Sequence, residues 1–577
     1  MIAIVLTTFF LQHCCIPFYV MAQQKPEPKK PTSSRVIFKD VAEQAGLRFQ
    51  HYNGMTGKFY LPEITGSGGA LFDFDNDGDL DVFLVQGNTL EPNTQLGATL
   101  FPWRGSESPR GRLFRNDLST KGGKLTFRDV TQQSGIVATG YGMGVAVGDV
   151  NNDSLPDLYL SNLGSNQMYL NKGGGKFVDV TKESGTDDPR WSTSASFFDY
   201  DRDGWLDLMV VNYADFSVAN SPNCYAATTA KDYCTPRVFR APGNRLFHNK
   251  GDGVFEDVTV PAGVSKEFGH GLGVVTADFN NDGWIDIYVA NDGDQNQLWT
   301  NQKNGTFVND ALIAGAAVNR NGQTEAGMGV DVGDFDANGT DDIFVTHLMD
   351  ETNTLFVNLG QAVFEDRTRE AGLGMPGSRF TGFGTFFFDY DNDGWLDLFV
   401  ANGAVQLLPE LVRKKDPFPL GQPNQLFRNT GKGHFIEIVD QADLRLIEVS
   451  RGAAFGDVDN DGDTDVLVTN NNGAARLLSN QVGNQNHWLG LRLIGKSGRD
   501  MLGTQVEILV SENNTLRRRV RTDGSYLSAN DPRVLVGLGQ TSKIKAVRVR
   551  WPSGAVEEWK DVVVDEYNTL KEGTARR

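Results

Sequence analysis

The sequence predicts an all-β fold: a seven-bladed β-propeller followed by a small all-β C-terminal domain. Three observations predict it. An acidic nine-residue loop occurs seven times, apolar runs flank every copy, and two further strand signatures recur in step with it. A chain of 577 residues is too long for one small core and suits a large repeat domain plus a second module.

Residues 1–22 are mostly apolar and end in Val20-Met21-Ala22 before Gln23. They read as a signal peptide, with an uncleaved anchor as the alternative. Residues 23–35 (QQKPEPKKPTSSR) are Pro- and Lys-rich and read as a flexible linker. No later segment carries 18 consecutive apolar residues, so the mature chain is expected to have no transmembrane span.

The propeller is expected over residues 36–482. Its loops are DFDNDGDLD (73–81), DVNNDSLPD (149–157), DYDRDGWLD (199–207), DFNNDGWID (278–286), DFDANGTDD (334–342), DYDNDGWLD (389–397) and DVDNDGDTD (457–465). A Gly-containing apolar stretch precedes each loop and an apolar run follows it, so the loop joins two buried strands of a hairpin. An NxLFxN-like strand follows, as at Leu113-Phe114 and Leu426-Phe427. An FxDVT-like strand begins at Phe38, Phe127, Phe177, Phe255, Phe307, Phe364 and Phe435. This last signature occurs once before the first loop and never after the seventh. If it marks the outer strand, the Phe38 segment completes the last blade and closes the ring.

Positions 1, 3 and 5 of each loop carry Asp or Asn, position 6 is Gly in six copies, and position 9 is always Asp. A hard cation such as Ca²⁺ takes six to eight oxygens, and alternating carboxylates on a tight turn supply them. The expected ligands are Asp73, Asp75, Asp77 and Asp81; Asp149, Asn151, Asp153 and Asp157; Asp199, Asp201, Asp203 and Asp207; Asp278, Asn280, Asp282 and Asp286; Asp334, Asp336, Asn338 and Asp342; Asp389, Asp391, Asp393 and Asp397; and Asp457, Asp459, Asp461 and Asp465. The EF-hand opens with the same string but needs Glu at position 12, where these loops carry only Leu or Val strand residues. The second and fifth copies, with Asn151, Ser154 and Asn338, are expected to bind most weakly. Up to seven Ca²⁺ would take the formal charge from −19 to about −5, which makes the acidity an internal ligand supply. No basic, aromatic-studded stripe points to nucleic acid.

Cys224 and Cys234 lie in a loop-like stretch and are expected to form a disulfide in an oxidising compartment. Residues 487–571 read as a separate β module. Val547, Val549 and Trp551 alternate with Arg548 and Arg550, while Arg517, Arg518, Arg519 and Arg521 read as a solvated strand face or a basic patch.

The acidic hairpin, the Gly-rich strand before it and the LFxN and FxDVT strands after it resemble FG-GAP/VCBS repeats of the integrin-α type. Residues 487–571 resemble the ASPIC/UnbV domain through HWLGLRLIG (487–495), GTQVEILV (503–510), DGSYLSANDPRVLVGLG (523–539) and VRVRWPSGAVEEW (547–559). Together they resemble the cartilage acidic protein family, whose known properties imply secretion and calcium binding without a settled reaction.

Long insertions at about 47–67, 86–111, 212–243 and 403–423 would open on the face opposite the acidic loops. That face, with His51, Glu63, Trp103 and Tyr213, is where an extracellular protein or glycan partner is expected. The chain thus reads as a secreted, cell-surface or periplasmic calcium-binding module for adhesion or structure. The alternative is an extracellular polysaccharide lyase or hydrolase with His51 and Glu63 as base and acid. The chain has no HExxH, no GxSxG elbow and no P-loop.

Overall fold

A computed structural model describes residues 36–226 and 230–575; the expected signal peptide and linker lie outside the described residues. Each of the seven repeats forms one four-stranded antiparallel sheet. In the first, the inner strand Gly69–Phe72 enters the acidic loop and the second strand Asp81–Leu84 leaves it. The third strand is Arg112–Asn116 and the outer strand Phe127–Asp129. The pairing runs Leu71↔Val82, Phe83↔Leu113 and Asn116↔Phe127.

Successive inner strands are neighbours, and that of the last repeat, Ser450–Gly456, returns to that of the first. The outer strand of the last sheet comes from the start of the chain: Phe38–Asp40 pairs with Arg476–Asn480 through Phe38↔Asn480. The phase of the repeat thus has the physical outcome expected, because no outer edge is left for want of a strand.

Each sheet is covered on both faces by its neighbours, which is why the second strands read as unbroken apolar runs. Asp207–Asn212 and Asp286–Asn291 are buried at every residue. The core lies between sheets; Phe74, Phe83, Val147, Leu158, Tyr169 and Phe177 fill the space between the first and second. Four outer strands lead into a one-turn helix closed by a left-handed glycine: Gly46, Gly135, Gly185 and Gly315. At Gly315, φ is +85° and a Cβ would lie 2.4 Å from the Phe364 carbonyl of the next outer strand, so conformation and space both exclude a side chain.

Two side chains per repeat join loop, sheet and neighbouring sheet. The position-9 aspartate accepts at Oδ2 from the N–H of the second loop residue and at Oδ1 from the N–H of the third-strand asparagine. In the first repeat these are Phe74 at 3.0 Å and Asn116 at 2.8 Å, both to Asp81. The same pair of bonds recurs at Asp157, Asp207, Asp286, Asp342, Asp397 and Asp465. The asparagine's Nδ2 then donates to a loop carbonyl of the preceding repeat. Asn171 reaches Phe74 O, Asn249 Val150 O, Asn301 Tyr200 O, Asn358 Phe279 O, Asn429 Phe335 O and Asn480 Tyr390 O, at 2.7–2.9 Å. Asn116 closes the circuit on Val458 O of the seventh repeat at 2.9 Å.

The C-terminal domain has a three-stranded sheet (Val534–Gly539, His487–Ile494, Tyr567–Lys571) and a four-stranded one (Thr515–Arg519, Gln505–Leu509, Ala546–Arg550, Val556–Trp559). Between them, residues 520–533 enter the ring among the inner strands. Leu71 and Val145 donate to the carbonyls of Ala529 and Leu527, Val330 donates to Ser525 O, and Asp531 donates to Phe455 O, all at 3.0–3.1 Å. Inner-strand groups with no partner in their own sheet are paired in this way. Small inner-strand residues make the room: a Cβ at Gly68 would lie 1.7 Å from Leu527 O. Tyr526 reaches the far end, where its hydroxyl donates to Thr65 O at 2.9 Å and its ring meets Phe383 at 4.9 Å.

Asn301 also donates to Ile285 O at 3.1 Å, so Asn301→Ala removes the donor to two buried carbonyls in two sheets. The expected loss is about 2–4 kcal/mol of unfolding free energy, read from denaturant titration with an unchanged m-value.

Candidate functional site

All seven acidic loops share one backbone. Position 4 is left-handed in each, with φ of 52–65° at Asn76, Asn152, Arg202, Asn281, Ala337, Asn392 and Asn460. Five of these are asparagine, the non-glycine residue that tolerates this region best. Position 6 is left-handed as well, including Ser154 at 73°. Its N–H donates to Oδ2 of the position-1 aspartate in all seven loops, from Gly78 on Asp73 at 3.0 Å to Gly462 on Asp457 at 2.9 Å. The position-7 N–H donates to Oδ1 of position 5, as from Trp205 to Asp203 at 2.8 Å. The carboxylates are therefore held inward by the turn itself.

This convergence places like charges together. Asp73, Asp75 and Asp81 each bring a carboxylate oxygen within 4.8 Å of the others, as do Asp334, Asp336 and Asp342, and Asp389, Asp391 and Asp397. Burial, the largest cause, pushes Asp73, Asp149, Asp199, Asp278, Asp334 and Asp457 up to about 6, Asp207 and Asp459 to about 7, and Asp286 and Asp389 to about 8. Asp81, Asp157, Asp342, Asp397 and Asp465 are raised well above the usual carboxylate range for the same reason. Oδ1 of Asp75, Asp199, Asp334, Asp391 and Asp459 is buried without any hydrogen-bond partner. An unpartnered anionic oxygen in such surroundings fits a cation, and the donor set, all oxygen in six loops, fits a hard one.

The second and fourth loops have no such unpartnered carboxylate oxygen among the described residues. Both carry asparagine at position 3, and Asn151 turns its amide onto Asp153 at 2.9 Å. In the fifth loop Asn338 spends its amide on Asn358 O at 3.3 Å.

The loops are also tied to one another. Asn76 donates to Ser154 O, Asn152 to Gly204 O, Asn392 to Gly462 O and Asn460 to Gly78 O at 2.8–3.1 Å, and Arg202 donates to Gly283 O. Over them lies the C-terminal domain, whose role sequence reasoning missed. Tyr567 donates to Asp457 Oδ2 at 2.9 Å and Gln505 to Asp278 Oδ2 at 3.3 Å, both position-1 carboxylates. Arg499, Arg518 and Arg533 donate to loop carbonyls at Gly204, Gly394 and Asp457. The solvated face expected for Arg517, Arg518, Arg519 and Arg521 holds for Arg517, which is 46% exposed, and is corrected for Arg519 and Arg521. Arg521 pairs with buried Asp331, and Arg519 is 10% exposed beside Asp523, because the strand faces an acidic ring.

On the opposite face the insertions converge as expected, but they fold onto one another. Phe101 meets Phe418 at 5.7 Å, Phe59 meets Tyr233 at 5.1 Å, and Tyr60 meets Phe216 at 6.0 Å. Cys224 and Cys234 are joined, with Cα atoms 5.2 Å apart. His51, Glu63 and Tyr213 lie inside this cap at 3%, 1% and 2% exposure, which corrects their expected place on a partner surface. His51 Nδ1 accepts from Asn472 N–H, and burial lowers its pKa to about 3. Glu63, raised by burial to about 7, takes Tyr60 N–H and the Tyr233 hydroxyl. Tyr213 donates to Asp292 at 2.6 Å. These contacts tie the three side chains into the cap, while His51 Nε2 lies buried without a hydrogen-bond partner. Of the four, only Trp103 is partly exposed, its indole N–H on Glu107 O at 2.6 Å.

The FG-GAP-like repeat model matches residues 73–160, 149–210, 238–289, 278–345 and 334–400. The chain belongs to the FG-GAP-like repeat family. The matched FG-GAP-like repeats stop before the seventh loop, which the structure shows to have the same backbone. Residues 495–577 match the ASPIC and UnbV model. Cartilage acidic protein 1 from Mus musculus and from Homo sapiens is each 28% identical over 326 residues, covering 55% of this chain and 47% or 46% of the relative. The Xenopus tropicalis protein of that name is 24% identical over 513 residues, 85% of this chain and 70% of its own. The chain spans about half the length of the mouse and human relatives it matches. Among solved structures, an Agrocybe aegerita lectin that recognises non-reducing terminal N-acetylglucosamine aligns with a TM-score of 0.36 and 15% identity, over 62% of this chain and 82% of that one. BBS1N in complex with ARL6DN aligns at 0.35 and 8% identity, over 78% and 98%.

The raised loop carboxylates set the pH response of the metal-free protein. Their folded pKa values, about 6–8, lie above the unfolded value near 3.9, so the folded state holds more protons between those limits. Stability is then lost as pH rises through the window. In chelator, the melting temperature is expected to be higher at pH 5.5 than at pH 8; with excess calcium that trend flattens or inverts. Calorimetric scans at the two pH values decide it.

Proposed function

We propose that this chain is a calcium-loaded binding module, with the metal holding the loop face as scaffold and the insertion face meeting an extracellular protein or glycan. The observation that carries the calcium reading is the set of buried Oδ1 atoms without partners in five loops. Among the described residues these atoms have no hydrogen-bond donor, and a divalent ion would supply the missing counter-charge at each loop.

The location of the partner follows from what is left uncovered. The C-terminal domain occupies the loop face, so recognition falls to the insertions. Between the insertions at 86–111 and 212–243 lies a cleft of about 900 Å³, lined by Glu91, Arg190, Trp191, Phe216 and Phe268 among others. Phe268 is 62% exposed at its edge. Aromatic faces beside paired charges suit a sugar ring or a peptide side chain. The disulfide supports an oxidising compartment, hence secretion, the cell surface or the periplasm. No helix among the described residues is long and apolar enough to cross a membrane.

Calcium at about 100 times its dissociation constant contributes about 2.7 kcal/mol per site. Over five well-formed loops this should raise the melting temperature of the stripped chain by about 10 °C. An identical melting curve in chelator and in calcium sinks the reading. For the cleft, glycan-array and peptide-array binding that falls in Phe268→Ala, at unchanged melting temperature, is the expected result.

A further inference from the structure

The third acidic loop differs from the other six in the residue that stands beside it. The fourth residue of the third strand is Arg115, Leu170, His248, Thr300, Val357, Arg428 and Ser479 in successive repeats. Where it is arginine it reaches the loop carboxylates. Arg428 lies 3.1 Å from Asp391 and 3.2 Å from Asp393, and Arg115 lies 3.9 Å from Asp75. Only the third repeat places there a side chain that has a nitrogen lone pair.

His248 Nδ1 is 3.1 Å from Asp207 Oδ1 and 3.5 Å from Asp201 Oδ2. Ligand atoms of Asp201, Asp207 and His248 all lie within 4.8 Å of one another, and Asp199, Asp201 and Asp203 form a second such group through the shared Asp201. Ligands bound at about 2.1 Å sit about 3 Å apart along the edges of an octahedron, close to the spacing of His248 from Asp207 and Asp201, and Asp201 links this group to Asp199 and Asp203. An independent sign comes from Asp199. It is 6% exposed, and its Oδ1 has no hydrogen-bond partner. The Tyr200 ring, 5.9 Å away edge-on, holds the imidazole in place.

Calcium binds through oxygen, whereas imidazole suits first-row divalent ions. We propose that the third loop is a mixed nitrogen–oxygen site that takes a first-row divalent metal in preference to calcium, with His248 as its nitrogen ligand and Asp199, Asp201, Asp203 and Asp207 supplying oxygens. This rests on the reading of the loops as metal sites and assigns one of them a different ion. The other arrangement of the same residues is a metal-free one, with a protonated His248 paired to Asp207 as Arg428 is to Asp391.

The test uses the untagged full chain, stripped with chelator and re-equilibrated in about 1 mM calcium before one equivalent of Co²⁺ is added. About one cobalt per chain should survive desalting and give a paramagnetically shifted imidazole N–H resonance. In His248→Gln that resonance should vanish and cobalt affinity fall about tenfold or more, with calcium content unchanged. His248→Ser copies the residue of the seventh repeat and serves if the glutamine variant is unstable. Cobalt displaced by calcium, or held equally well by both variants, overturns the inference. The calcium content of the same samples separates the two readings: calcium retained without cobalt overturns this inference alone, and neither retained overturns both.

Discussion

Burying a carboxylate at position 9 of every loop is the constraint around which the ring is organised. Such a group costs several kcal/mol to desolvate unless donors surround it. Here two backbone N–H groups are supplied, one from the loop and one from the third strand, so each loop has a single geometry relative to its sheet. The donor on the third strand is an asparagine whose amide goes on to the preceding repeat. One buried charge thus specifies the turn, the strand that lies beside it and the distance to the next sheet. Repetition of this unit seven times, with Asn116 returning to Val458, makes the circuit continuous.

The C-terminal domain completes what the repeats leave open. Inner strands of a ring have no further strand to pair with, and the 520–533 segment donates to them and accepts from them instead. Its arginines and Tyr567 meet the acidic face from above. The domain is therefore part of the loop architecture, and a division of the chain into a propeller and an independent module describes its sequence better than its packing.

Much of this was legible in the residues. The FxDVT-like signature marks the outer strands at their observed starts, from Phe127 to Phe435, and the LF pair falls one residue inside the third strands, because period and turn chemistry are local properties. Position 6 was readable for the same reason. Position 4 was not recognised, although its asparagines signalled a left-handed residue. His51, Glu63 and Tyr213 were misplaced because their exposure depends on insertions that meet only in three dimensions. The same holds for Arg519 and Arg521, whose place in an arginine-rich stretch says nothing of what covers it.

The pairing of Phe38–Asp40 with the last repeat has a consequence in time. Arg476 meets Asp40 across 436 residues of chain. At about 5–20 residues per second, roughly 20–90 seconds of synthesis separate the two strands, and the segment that fills the ring is later still. Through that interval the sheets carry open inner and outer edges, and the contacts that join them are of high sequence separation. The ring therefore closes late in synthesis, and until it does the last sheet lacks its outer strand and the inner strands lack the segment that pairs with them.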